Sequence, residues 1–195
     1  MGRLPTFETT AVVTAARDLF WDRGYEATSI ADLETVTGVN RSSLYHAFGS
    51  KRGLFDAAVQ DYLDTVIRPR LSVLLGPTAG TAGLLAYVDG LRSAVAAVPD
   101  DSPRRGCLLV NCAAGLAGHD AAARLVVDGY RSELIAALRH SLEVAGAPGD
   151  VDEKAIVLSS LTISAMLLAR IDRREADAVL GAARRHVTSW LADDR

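Results

Sequence analysis

Hydrophobic residues recur at three- and four-residue steps along nearly the whole chain, the spacing of one face of an α-helix. Val12, Ala15, Ala16, Leu19 and Phe20 predict a first helix over about residues 7–23, after a short disordered lead at residues 1–6. Gly24 takes the place of a left-handed C′ residue, and Tyr25 can pack back on Phe20 as in a Schellman stop. Thr28 or Ser29 caps a second helix, Ser29 and Asp32 form a capping-box pair, and Ile30, Leu33 and Val36 supply the buried face. Gly38 ends that helix. Asn40 caps a third, which carries Leu44, Ala47 and Phe48 and closes at Gly49. The joint Thr37-Gly38-Val39-Asn40 has the length and glycine of a helix-turn-helix turn.

Ser50 caps a fourth helix running from about Lys51 toward Leu75, with a disturbance at Pro69. Gly76-Pro77 breaks the chain, and further helices are predicted at about 81–98, 107–116, 120–145, 152–171 and 174–192. The last helix has a continuous stripe of Ala176, Val179, Leu180, Ala183, Val187, Trp190 and Leu191, with Asp193 and Asp194 off it. The penultimate one is apolar nearly all round and must be covered on every side, by a partner subunit or by the chain's own core. The expectation is an all-α fold of about nine helices, without strands, repeats or low-complexity tracts.

Composition agrees. The chain has 195 residues, 49% hydrophobic and only 6% aromatic, which suits a folded helical protein and excludes general disorder. The uncharged run Ala155–Ala169 is 15 residues with four hydroxyl groups, shorter than the roughly 20 apolar residues of a membrane span. No secretory signal is recognisable. Cys107 and Cys112 make neither a disulfide framework nor a metal-ligand pattern. A cytoplasmic, reduced protein without cofactor or metal is expected.

Charge at first argues against a nucleic-acid partner. The net charge is −3, and the first 56 residues hold six basic and seven acidic side chains. Distribution changes that picture: no acid occurs between Glu34 and Asp56, whereas Arg41, Lys51 and Arg52 fall inside this window. Such a local strip suits limited contact with a phosphate backbone, although a solvated charged face would read the same.

The third helix carries candidate chemistry for reading DNA. Leu44 and Phe48 anchor it, leaving Arg41, Ser42, Ser43, Tyr45 and His46 for the outer side. Arg41 can pair with a guanine edge or a phosphate, the two serines are small donors, and the Tyr45 phenol can reach a phosphate. Lys51 sits where a positive side chain and free backbone N–H groups both favour a phosphate, and Thr28 and Ser29 offer N–H groups at the second helix. Tyr45 could instead be a core tyrosine, and His46 a plain solvent-facing residue.

The run Gly24-Tyr-x-x-Thr-Ser-Ile-x-Asp-Leu followed by Thr37-Gly-Val-x-x-x-x-Leu-Tyr45-x-x-Phe48-x-x-Lys51-x-x-Leu54-Phe resembles the N-terminal domain of the TetR family of bacterial repressors, over about residues 8–56. The rest is similar only in helix number and order. The resemblance implies a homodimer joined by its last two helices and an effector pocket enclosed by helices four to seven. It implies backbone contacts from Tyr45, Lys51 and Thr28, and base reading near Arg41–His46. It thus implies a repressor released from a palindromic double-stranded operator by a small-molecule effector, with a DNA-binding domain at 1–50 and an effector and dimerisation domain at 51–195.

For the sensor half, Tyr62, Tyr87, Asn111 and Tyr130 are candidate pocket groups, each with a structural role as the alternative. Cys107 follows Arg104-Arg105-Gly106 at a predicted helix start, where positive charge and the helix N-terminus lower a thiol pKa. That makes it a candidate for oxidants or electrophiles, against the alternative of a small buried hydrophobe. Rival functions are a helical enzyme, for which no metal-ligand motif or phosphate loop is present, and an interaction module with an inert helix-turn-helix. His140 and Glu143 form only an isolated i, i+3 pair.

Overall fold

A computed structural model of the chain describes residues 8–77, 79–99 and 101–192; the lead at 1–6 and Asp193 and Asp194 lie outside the described residues. The helices are α1 (Thr9–Arg23), α2 (Ile30–Thr37), α3 (Arg41–Phe48), α4 (Lys51–Tyr62), α5 (Arg68–Leu75), α6 (Thr81–Ala97), α7 (Leu108–Ala114), α8 (Ala121–Val144), α9 (Val151–Leu168) and α10 (Arg173–Trp190). A π-helical turn, Leu63–Ile67, joins α4 to α5, and a 3-10 turn, Leu116–Gly118, follows α7. With α4, the π turn and α5 taken as one rod, nine helices lie among the described residues, and no strand.

The caps fall where the side chains require them. Ser29 Oγ accepts from Asp32 N while the Asp32 carboxylate accepts from Ser29 N, closing the capping box. Asn40, Ser50, Asp120, Asp150 and Asp172 cap α3, α4, α8, α9 and α10 by accepting backbone N–H bonds. Gly38 adopts the left-handed C′ conformation, φ 67° and ψ 13°. Gly24 has the expected positive φ of 78°, but its ψ of 171° sends the chain out extended instead of curling back. Tyr25 nevertheless stacks on Phe20, with centroids 6.1 Å apart.

Three expectations need correction. Val36 is 44% exposed, because the eight-residue α2 meets its neighbours through Leu33 and Ile30 alone. Helix α9 stops at Leu168, so Ile171 lies in a turn and is 77% exposed. The disturbance expected at Pro69 begins upstream of it. Proline has no N–H and its ring would strike the carbonyl four residues back, at Thr65. The preceding turn widens, and Arg68 N donates to Leu63 O, five residues back.

Helix α1 lies on α4, and α9 and α10 pack on each other and on α8 and α6. Buried side chains form one cluster from Val12 in α1 to Val187 in α10. Arg17, 7% exposed, is part of this join: its guanidinium donates to Asp61 at 2.7 Å and to Thr65 in the π turn at 3.1 Å. Gly106 adopts φ 74°, and a Cβ there would lie 2.5 Å from the Met166 carbonyl, so this position tolerates only glycine against α9. No helix among the described residues is long and apolar enough to cross a membrane.

Candidate nucleic-acid interface

Leu44 is 2% exposed and Phe48 packs on the core, so the two fix α3 by one side. Arg41, Ser42, His46 and Ala47 are exposed, and Ser43 and Tyr45 are half-buried. The Arg41 guanidinium lies over the Tyr45 ring, 5.2 Å from its centroid, which holds both on one outward face. Asn40 Oδ1 accepts from Ser43 N at 2.9 Å. Glu34, from α2, accepts from Arg41 N at 2.5 Å and so brings its carboxylate to the N-terminus of α3.

Lys51 and Ser50 stand beside this helix at the start of α4. Lys51 Nζ lies 4.3 Å from the centroid of Tyr25. Partial burial pulls its pKa below the usual lysine value, opposed by the Glu26 charge, and burial likewise raises the Tyr25 phenol. Ser29 is exposed, whereas Thr28 is buried and donates its hydroxyl to Gly24 O at 2.7 Å, tying together the two ends of the α1–α2 link. Its side chain is thus committed inside the protein.

The acid-free window is narrower in space than along the chain. Arg52 turns away from the α3 face and bonds Asp56 at 2.7 Å and Asp120, the cap of α8. Of the strip, Arg41 stays on the α3 face, and Lys51 lies at the start of α4 over Tyr25 of the α1–α2 link.

Gly53, not a candidate residue in the sequence, also shapes this site. A Cβ at this position would sit 2.0 Å from the Phe48 carbonyl oxygen, so only glycine lets α4 start directly against the end of α3. The signal was a glycine inside an otherwise helical pattern, Lys51-Arg52-Gly53-Leu54. Arg17, which enters the sequence reading only as one of six basic side chains in the first 56 residues, has no local signal of its buried role.

The sensor candidates do not converge as one set. Tyr62, Tyr87, Tyr130 and Cys107 line one internal cavity with Arg70 and Thr162, of about 10 Å³. Asn111 lies elsewhere, donating to Trp21 O at 3.3 Å and lining an open cleft of about 440 Å³ between the α1–α2 link and α7 and α9. Burial raises the phenol pKa values of Tyr62, Tyr87 and Tyr130. Arg104, expected beside Cys107, instead donates to Asp18 at 2.6 Å. Cys107 and Cys112 are both free and buried, and burial pushes the Cys112 thiol up to about 12.

Two short helices at a glycine turn, the second presenting polar side chains from an apolar anchor, define a helix-turn-helix DNA-binding regulator. Residues 12–58 match the family described as bacterial regulatory proteins, tetR family. The chain is 31% identical over 184 residues to the uncharacterized HTH-type transcriptional regulator YezE of Bacillus subtilis (strain 168), covering 89% of this chain and 93% of that one. It is 31% identical over 129 residues to the HTH-type transcriptional repressor BdcR of Escherichia coli (strain K12), covering 66% and 62%. It resembles a solved structure of the TetR family transcriptional regulator CifR, a cysteine mutant complexed with 26 bp double-strand operator DNA, with a TM-score of 0.81 and 30% identity over 94% of this chain and 98% of that one. The chain belongs to the TetR family of DNA-binding transcriptional regulators.

Proposed function

We propose that this regulator is a repressor that binds a palindromic operator as a homodimer and leaves it when a small effector enters the sensor half. The observation that carries the reading is the presentation of α3, whose Leu44 and Phe48 are anchored while Arg41, Ser42 and His46 face outward. Arg41, Ser42, Ser43 and His46 choose the base sequence. Tyr45, Lys51 and the α2 N-terminus at Thr28–Ser29 hold phosphates, with Thr28 acting through its backbone. The CifR complex with operator DNA supports this by family likeness.

The dimer is supported by an unpartnered face. Ile156, Leu167 and Ile171 are 49%, 45% and 77% exposed, and Ser160 and Ser164 between them are exposed and small. On α10, Ala178 is exposed and Ala182 half-buried, both small, so two copies of α9 and α10 can approach closely. Two α3 helices would then stand about one DNA turn apart, roughly 34 Å. The unit border falls between Ser50 and Lys51: α4 belongs to the sensor half of 51–195 yet lies on α1 of the reading half, which makes it the lever. Selection of genomic fragments by the purified protein tests the reading; recovery of no shared palindrome would overturn it.

A second reading is favoured by one observation. Cys107 is 2% exposed, yet it lines the same cavity as the unpaired Tyr62 hydroxyl, so the effector step can be covalent and occur at its thiol. Release of DNA by a thiol reagent from the native protein but not from Cys107→Ser tests it.

A further inference from the structure

The cavity bounded by Tyr62, Tyr87, Tyr130, Thr162, Arg70 and Cys107, about 10 Å³, has room for about one water-sized molecule. Its polar walls are unevenly satisfied. Thr162 Oγ1 donates to Ser159 O at 3.0 Å and also interacts with Tyr87. The Tyr62 hydroxyl, on a side chain with no solvent exposure, has no hydrogen-bond partner among the described residues. Besides burial, Cys107 raises the Tyr62 and Tyr130 phenols through its charge and through side-chain hydrogen bonding, at Tyr62 an approach too weak to count as a formed hydrogen bond. A buried hydroxyl left unpaired is unfavourable, so this site favours a small molecule that both donates and accepts.

We propose that the cavity is a reaction site for hydrogen peroxide, in which the Cys107 thiol becomes a sulfenic acid and the Tyr62 hydroxyl hydrogen-bonds the reacting oxygens. The inference rests on the second reading above and names its reagent. Size decides the class: a molecule of two heavy atoms takes little more room than a water, whereas a carbon electrophile such as a maleimide exceeds the cavity many times over. In the step, the sulfur attacks one peroxide oxygen, an S–O bond forms and the O–O bond breaks. Sulfur loses two electrons and peroxide gains them. The displaced hydroxide takes up the proton that the thiol gave up, relayed through Tyr62, and leaves as water.

Two features favour a product that stays at this stage. Cys112 lines the open cleft and a separate site beside Arg52 and Phe55, not this cavity, and burial keeps its own thiol protonated. The new oxygen gives Tyr62 its missing partner. It also enlarges a side chain packed at the root of α4, whose other end carries Lys51.

The test compares two reagents on the native full chain. Cys107 sulfenic acid is read by peptide mass after peroxide is removed and the chain is unfolded in dimedone; N-ethylmaleimide adducts are read in parallel. Native folding should slow peroxide at Cys107 by no more than about tenfold, and maleimide by about a hundredfold or more, relative to the unfolded chain. Equal exclusion of both reagents, the result for a cavity that only houses a structural water, would overturn the proposal. Tyr62→Phe should slow peroxide oxidation about tenfold with maleimide unchanged, and an unchanged peroxide rate would also overturn it. Should Tyr62→Phe fail to fold, the reagent ratio on the unaltered chain decides alone. Operator binding of the untreated protein is measured separately, so loss there counts against the DNA reading and not against this chemistry.

Discussion

A methyl group on Gly53 would lie 2.0 Å from the carbonyl oxygen of Phe48, so α3 and α4 meet at a position that admits no side chain. Gly53→Ala should therefore push α4 off α3, at a cost of about 1–3 kcal/mol from overpacking. The expected result is a lower melting temperature together with weakened operator binding. An unchanged melting curve would show that the two helices separate freely.

The α3 face yields a graded set. Tyr45→Phe and Lys51→Ala should weaken binding at every site by about 1–3 kcal/mol, and loss of Lys51 should also flatten the salt dependence. Arg41→Ala should instead change which operator variants are preferred. Fluorescence anisotropy across single-base variants and salt concentrations separates the two behaviours; uniform loss for all three substitutions would contradict the assigned roles.

Arg17 is a buried charge held by Asp61 at 2.7 Å, and removing one partner strands the other. Arg17→Met should destabilise the fold by about 3 kcal/mol, whereas the joint change of Arg17→Met with Asp61→Leu should recover much of it. Urea unfolding of the single and double variants gives the coupling directly.

Acid should loosen the caps. Bonds from the Ser29 hydroxyl and backbone hold the Asp32 carboxyl below the usual range, and the Ala123 backbone N–H, with Arg52, does the same for Asp120. Both groups have folded pKa values below their unfolded ones. Their contribution is therefore fully present above about pH 4 and is lost as pH falls through the folded values. Melting temperatures should be flat from pH 7 to 5 and drop below 4, with a smaller acid-induced drop in Asp32→Ala, which has already lost the box. An equal drop in that variant would remove the capping box as a cause.

On the proposed dimer face, Leu167→Glu and Ile171→Glu place charge on apolar positions that are 45% and 77% exposed in the single chain. Light scattering should show a shift from dimer toward monomer, with operator binding reduced in step. Variants that stay dimeric would move the interface elsewhere.

Much of this architecture was legible because its determinants are local. Ser29, Asn40, Ser50 and Asp120 announce helix starts through their own side chains, and Gly38 announces a stop through φ. The positions misjudged depend on partners far along the chain. Arg52 looked like part of a positive strip until Asp120, 68 residues away, drew it aside. Thr28 looked available until folding aimed it at Gly24. Val36 follows the helical spacing, but α2 has too few neighbours to cover it. The tyrosines at 62, 87 and 130 could be nominated singly, yet only packing shows that they share a cavity with Cys107 and exclude Asn111.

The π turn at Leu63–Ile67 carries a surplus residue in one helical cycle, and an α-helix turns about 100° per residue. The number of residues between the two straight rods is thus an angular setting as much as a length. Tyr62 on one side and Pro69 on the other are held at a phase that an uninterrupted helix of this sequence would not reach. A single deletion in this stretch, silent to any measure of composition, would rotate α4 relative to α5 like a gear slipped by one tooth.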